Sequence, residues 1–231
     1  MFRMLRTLPF ALTLATVSLF TGGCGSSTAK FRMFYAVPNG VAVDVLIDGK
    51  KVETAIQFGT ATPASGYLSV SSGSRHVQVF PTGTTSGAYF DGTVPFNSGT
   101  PYTFLLTGPT GSIQHQLFTD NNTPPTSTNA ALRVIHASPS GPTPVDVYLS
   151  APNTTTLGTA SISSLAFGAT SSYVTVPASS YAFLVTPSGI QAIDIDVPSA
   201  SFAQGKIYTY VLVDVLGGGS MAGTPIVLND N

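Results

Sequence analysis

The strongest constraint on the fold of this chain is an internal repeat. Phe31–Ile47 reads FRMFYAVPNGVAVDVLI and Ala131–Leu149 reads ALRVIHASPSGPTPVDVYL. Both run in the same order: an arginine inside an apolar stretch, a turn rich in Pro and Gly, then Val-Asp-Val. Each copy is expected to be the opening hairpin of a β-domain, so the chain is expected to hold two related units. Further matched pieces keep the same order. Phe58-Gly59 recurs as Phe167-Gly168, Tyr67-Leu68-Ser69-Val70 as Tyr173-Val174-Thr175-Val176, and Tyr102-Thr103-Phe104 as Tyr208-Thr209-Tyr210.

The 231 residues are 8% charged and rich in Gly and Pro, with 14 Phe and 9 Tyr. Globular chains are about one quarter charged, and disordered ones lack aromatic and β-branched runs, so the composition points to a loop-rich, all-β protein with real cores. Apolar residues alternate with period two between turn residues, as in Val43, Val45 and Ile47, a strand that ends at the hairpin dipeptide Asp48-Gly49. Gly108-Pro109-Thr110-Gly111 predicts a second hairpin. Short strands at regular turn spacing predict two tandem antiparallel β-sandwiches of immunoglobulin-like, Greek-key type. The first unit is set at 31–118 and the second at 131–231. Thr119–Asn129 holds no apolar residue and contains Pro124-Pro125, so 119–130 is read as a linker.

The N-terminus reads as an address rather than a fold. Arg3 and Arg6 precede an apolar run, Leu8–Phe20, that is too short to span a bilayer of about 20 helical residues, so 1–23 is expected to be a cleaved signal peptide. The single cysteine, Cys24, follows Thr21-Gly22-Gly23, which resembles a bacterial lipobox. One feature then explains both the lone thiol and the absence of disulfides in an exported chain. Residues 24–30 become a lipid-anchored tether of about 20 Å at most. The resemblance implies a cell-envelope lipoprotein, and Gly25 after the cysteine implies the outer membrane where the cell has two. Without 1–23 the chain carries seven Lys and Arg against ten Asp and Glu. The basic residues are scattered, which argues against nucleic acid as a partner.

Arg133-Val134-Ile135-His136-Ala137-Ser138-Pro139 followed by Val145-Asp146-Val147-Tyr148-Leu149 resembles the opening motif of the domain of unknown function 4397 family, found in exported bacterial envelope proteins, often in tandem. The first unit departs from it at Tyr35 and Val37. The resemblance supplies a domain type and no catalytic residue.

Several residues could carry chemistry. Arg32 and Asp44 recur as Arg133 and Asp146, and their spacing on consecutive strands predicts cross-strand structural charge pairs of about 0.2–1 kcal/mol each. His76, His115 and His136 lie on separate predicted strands, so no metal site and no cofactor are expected. His136 and Ser138 have no nucleophile elbow around them, and Tyr35 replaces the histidine in the other copy, which favours a hydrogen-bonding role at a strand end. Asp194 and Asp196 lack a calcium loop. Tyr89, in the Gly- and Thr-rich segment Thr82–Thr93, is the tyrosine expected to be exposed. The sequence reads as a non-enzymatic envelope protein that displays its modules to proteins or surfaces. The alternative is a glycan-binding module using Tyr89.

Overall fold

The computed structural model describes residues 27–126 and 128–231. The expected signal peptide and Cys24 lie outside the described residues. Among the described residues there are seventeen strands and no helix. The first nine are β1 (Thr28–Ala36), β2 (Val43–Ile47), β3 (Lys50–Ile56), β4 (Thr60–Thr62), β5 (Leu68–Ser71), β6 (Gly73–Pro81), β7 (Phe90–Phe96), β8 (Pro101–Thr107) and β9 (Gln114–Thr119). The rest are β10 (Asn129–His136), β11 (Val145–Ser150), β12 (Ile162–Leu165), β13 (Val174–Pro177), β14 (Ser180–Pro187), β15 (Ile195–Ser201), β16 (Ile207–Leu212) and β17 (Ile226–Asn229).

These strands form four sheets that repeat as two pairs. The orders β5-β1-β8-β9 and β3-β2-β6-β7 reappear as β13-β10-β16-β17 and β12-β11-β14-β15, with β4 in the first copy on the same side of β1 as β5. The opening stretch is therefore not a hairpin, in either copy. β1 pairs with β4, β5 and β8, whereas β2 pairs with β3 and β6, so the Pro- and Gly-rich turn carries the chain from one sheet to the other. The expectation of purely antiparallel sheets also fails at one pairing per copy. β1 runs parallel to β8 (Phe31↔Tyr102) and β10 parallel to β16 (Leu132↔Tyr208). The opening strand and the closing strand are joined through the whole of the other sheet, which supplies the long crossover that parallel pairing requires. The Asp48-Gly49 turn forms as expected, with φ of 50° and 74°, the left-handed pair a two-residue hairpin needs.

Alternation along β1 explains how the sheets stack. Phe31, Met33 and Tyr35 face the β2-containing sheet in one core, and Arg32, Phe34 and Ala36 face the opposite way. Both sets are buried. β10 repeats this, with Leu132 and Val134 in a second core and Ile135 and Ala137 on the opposite face. Those opposite faces meet. Phe34, Ala36 and Leu105 from the first copy pack with Ile135, Val211 and Val213 from the second as a third core, so the molecule is a stack of four sheet layers. A sheet covered on both faces reads as a near-continuous apolar run, as β1 and β10 do.

The segment read as a linker is shorter than expected. Thr119 belongs to β9, Asn129 and Ala130 belong to β10, and Asp120 is buried in the seam between the two copies.

Candidate functional site

The seam carries a buried charge network built from equivalent residues of the two copies. Arg32 and Arg133 project from equivalent positions of β1 and β10, and their side chains are 2% and 1% exposed. Asp120 and Asp230 stand just past the ends of β9 and β17, both fully covered. Within each copy the carboxylate is held by the same two hydroxyls. Thr103 Oγ1 and Tyr67 Oη each donate to Asp120 Oδ2 at 2.6 Å, and Thr209 Oγ1 and Tyr173 Oη donate to Asp230 Oδ2 at 2.7 and 2.8 Å.

The arginines then cross over. Arg32 Nη2 donates to Asp230 Oδ1 at 2.9 Å, and Arg133 Nη2 donates to Asp120 Oδ1. Each guanidinium also reaches a carbonyl of the other copy at 3.4 Å: Arg32 that of Asn229, and Arg133 that of Thr119. Arg32 lies over the Tyr67 ring at 4.8 Å and Arg133 over the Tyr173 ring at 5.0 Å, which adds cation–π attraction in a water-excluded place. Two positive and two negative charges balance, so none is left buried alone. Burial opposes the charge on Arg133, but the fields of Asp120, Tyr173 and Asp230 outweigh it and hold its pKa above the ordinary value. Burial pushes the Tyr67 and Tyr173 hydroxyls far up, so both remain proton donors.

The expected pairs Arg32–Asp44 and Arg133–Asp146 do not form. Each arginine and its supposed partner sit on different sheets, facing different layers. Asp44 instead accepts from Lys51 Nζ at 2.5 Å, Thr54 Oγ1 at 2.7 Å and the backbone N–H groups of Ala55 and Gly83. Asp146 accepts from the N–H groups of Ser164 and Gly189 and from Ser188 Oγ. Burial opposes both charges, and these bonds overcome it, so both carboxyls stay below their usual range. Each aspartate is a loop brace within its own copy.

His136 and Tyr35 perform one task with different chemistry. Tyr35 Oη donates to the Val41 carbonyl and His136 Nε2 meets the Pro142 carbonyl, both at 2.8 Å and both six residues downstream. Each side chain pins the turn that crosses between sheets. Burial lowers the His136 pKa, consistent with a neutral ring donating from Nε2. Its Nδ1 faces the Ser138 backbone N–H at 3.4 Å, and the Ser138 hydroxyl is turned away to donate to Asp214. Tyr89, expected to be exposed, is half-buried against the first core, its ring stacked on Tyr35 at 6.5 Å. Apolar neighbours draw it down, because its ring loses more by facing water than its loop gains by freedom.

A cleft of ≈ 650 Å3 opens at one edge of the seam. One wall is the end of β4, the turn Ala64–Gly66, Tyr67 and Ser69. The other is β17 with Asp230 and Asn231, and the start of β1 forms the floor with Lys30 and Arg32.

The functional residues that sequence reasoning missed are Asp120 and Asp230 with their tyrosines and threonines. A signal was present. Asp120-Asn121 and Asp230-Asn231 each follow the last strand of a copy, and the Tyr67/Tyr173 and Thr103/Thr209 positions were already matched by the repeat.

An all-β protein, made of two internal copies that exchange buried Arg–Asp pairs across a shared core, is the class that fold and seam define. The chain belongs to the family called domain of unknown function (DUF4397), which it matches over residues 29–148, a span that takes in the whole first copy and the opening of the second. No curated protein matches the chain. Among solved structures it is similar to CBMbc (family CBM26) from Eubacterium rectale Amy13K, crystallised with maltoheptaose, at 8% identity and a TM-score of 0.28 over 87% of this chain and 95% of that one. A likeness that distant transfers neither fold nor ligand.

Proposed function

We propose that this protein is a non-catalytic, lipid-anchored cell-envelope protein whose two β-sandwich units act together as one rigid display module for protein or surface contact. The observation that carries this reading is the seam. The buried arginines and aspartates, the groups best suited to chemistry on a substrate, are spent on one another and lock the two copies into a single body. His136, Ser138, Asp44 and Asp146 are likewise committed to bracing loops. The anchor follows from the short apolar leader and the lone Cys24 after Thr21-Gly22-Gly23. Acyl chains contribute about 0.8 kcal/mol per buried methylene, so more than one chain holds a protein firmly at a membrane. Export to an envelope, outer in a cell with two membranes, completes the reading.

The test is mass spectrometry of the N-terminus from a membrane fraction, alongside fractionation of Cys24→Ser. A diacylated or triacylated Cys24, and release of the variant from the membrane, are expected. An unmodified Cys24 would remove the anchor, and reproducible turnover of any envelope substrate by the purified protein would remove the non-catalytic assignment.

A further inference from the structure

The two copies differ at the seam in the length of one segment, and that difference builds the cleft. Seven residues separate Gly59 from Tyr67, whereas four separate the equivalent Gly168 from Tyr173. The longer segment forms β4 on β1, where the second copy has only the isolated bridge Ile135↔Thr170. It then bulges as Ala64-Ser65-Gly66, the outer wall of the cleft. At the twofold-equivalent edge the Tyr173 hydroxyl instead receives the backbone N–H of Asn121 at 3.2 Å, which draws that side together. The interface has thus been opened on one side by extra chain.

The lining says what would fit. Lys30, Ser65, Ser69 and Asn229 are exposed on its walls, and Asn122 adds a further side-chain amide. Ala61, Ala64 and Val227 supply small apolar patches between them. A lining that is more apolar than polar, with hydroxyl and amide groups set into it, suits a ligand that is polar at its edges and weakly apolar on its faces, which is the surface of a sugar ring. Arg32 and Asp230 also line the cleft but neutralise each other. Among the described residues Lys30 forms no ion pair, so its ammonium is open to an anion of the ligand. One cation suits one carboxylate; a phosphate chain is usually met by several donors or a guanidinium fork. The volume lies in the range of sites that enclose ligands of a few rings.

We propose that this cleft binds a short acidic oligosaccharide, with its carboxylate at Lys30 and its hydroxyls on Ser65, Ser69, Asn122 and Asn229. This goes beyond the display reading and does not depend on the anchor, since the cleft would bind the sugar whether or not Cys24 is acylated.

The test is binding of the full protein, as isolated from cells, to an array of acidic and neutral oligosaccharides, followed by titration calorimetry with the best acidic ligand and its neutral counterpart. The wild type should prefer the acidic sugar. Lys30→Met should weaken it about tenfold and flatten its salt dependence, the loss of one charge-assisted hydrogen bond. Ala64→Trp, at an exposed rim position, should abolish binding with the melting temperature unchanged. Binding of neither class would overturn the proposal. Equal binding of both classes, insensitive to Lys30→Met, would overturn the acidic assignment, and binding indifferent to Ala64→Trp would place the sugar outside the cleft.

Discussion

Replacing Asp120 by Asn tests the seam directly, because the change keeps shape and removes charge. Asp120 accepts from Tyr67 and Thr103 at 2.6 Å, from Arg32 at 3.2 Å and from Arg133, all under full cover. Without its charge, Arg32 and Arg133 share Asp230 alone, at 2.9 and 3.8 Å, and one buried positive charge is left over. Breaking a buried pair in this way costs about 3–5 kcal/mol. For a body of about 200 residues each kcal/mol moves the midpoint by about 2–4 °C, so melting should fall by about 6–20 °C. Arg133→Met should cost a similar amount, since it strands a carboxylate instead. The double variant restores neutrality through Arg32 and Asp230, so its loss should fall short of the summed single losses by about 2 kcal/mol or more. Urea titration and scanning calorimetry measure all three. Asp48→Asn, which breaks the exposed Arg75–Asp48 pair, should leave the curve in place. Loss below about 1 kcal/mol for Asp120→Asn, the level of a surface pair, would refute the reasoning, as would additivity of the two changes.

The pinning of the crossover turns yields further outcomes. His136 has its pKa depressed by burial, so the unfolded chain takes up its proton first as pH falls; its contribution is intact above about pH 6.5, the unfolded value, and is lost below it. Stability measured by urea titration should therefore decline from pH 7 to pH 5, and His136→Gln should flatten that slope. Gly40 is pressed against Tyr35, whose Oη would lie 2.1 Å from an added Cβ, so Gly40→Ala should cost about 1–3 kcal/mol by overpacking, and Tyr35→Phe should recover part of it. Leu105→Ala empties the shared core between the copies and should cost about 2–5 kcal/mol in the same assay. Asp146→Ala removes three bonds at one loop and should cost about 1–3 kcal/mol, with no effect on the seam.

The strand alternation and the Asp48-Gly49 turn were legible because each is local, written within a few residues, and the repeat because its matched pieces keep the same order in both copies. The partners of Arg32 were not. Arg32 and Asp44 lie twelve positions apart, and that closeness invites a pairing, yet it holds only if β1 and β2 share a sheet. They do not, and the contacts that replace it join residues 88 and 198 positions apart. Arg32 and Arg133 each interrupt an apolar run on which both alternating sets are large and apolar. A strand facing water on one side has no reason to carry Phe34 beside Met33, or Ile135 beside Val134. A charge placed in such a strand must be answered by another buried charge, and the carboxylates close by in sequence, Asp44 and Asp146, are taken by loop donors. The answer was available only by reading the copies against each other. Each ends in Asp-Asn, and a carboxylate repeated at the end of every unit is where the buried arginine of the other unit finds its partner. The duplication is thus more than two domains in series, because each buried arginine makes its shortest carboxylate contact with the other copy, while the contact within its own copy is longer, 3.2 Å for Arg32 and 3.8 Å for Arg133.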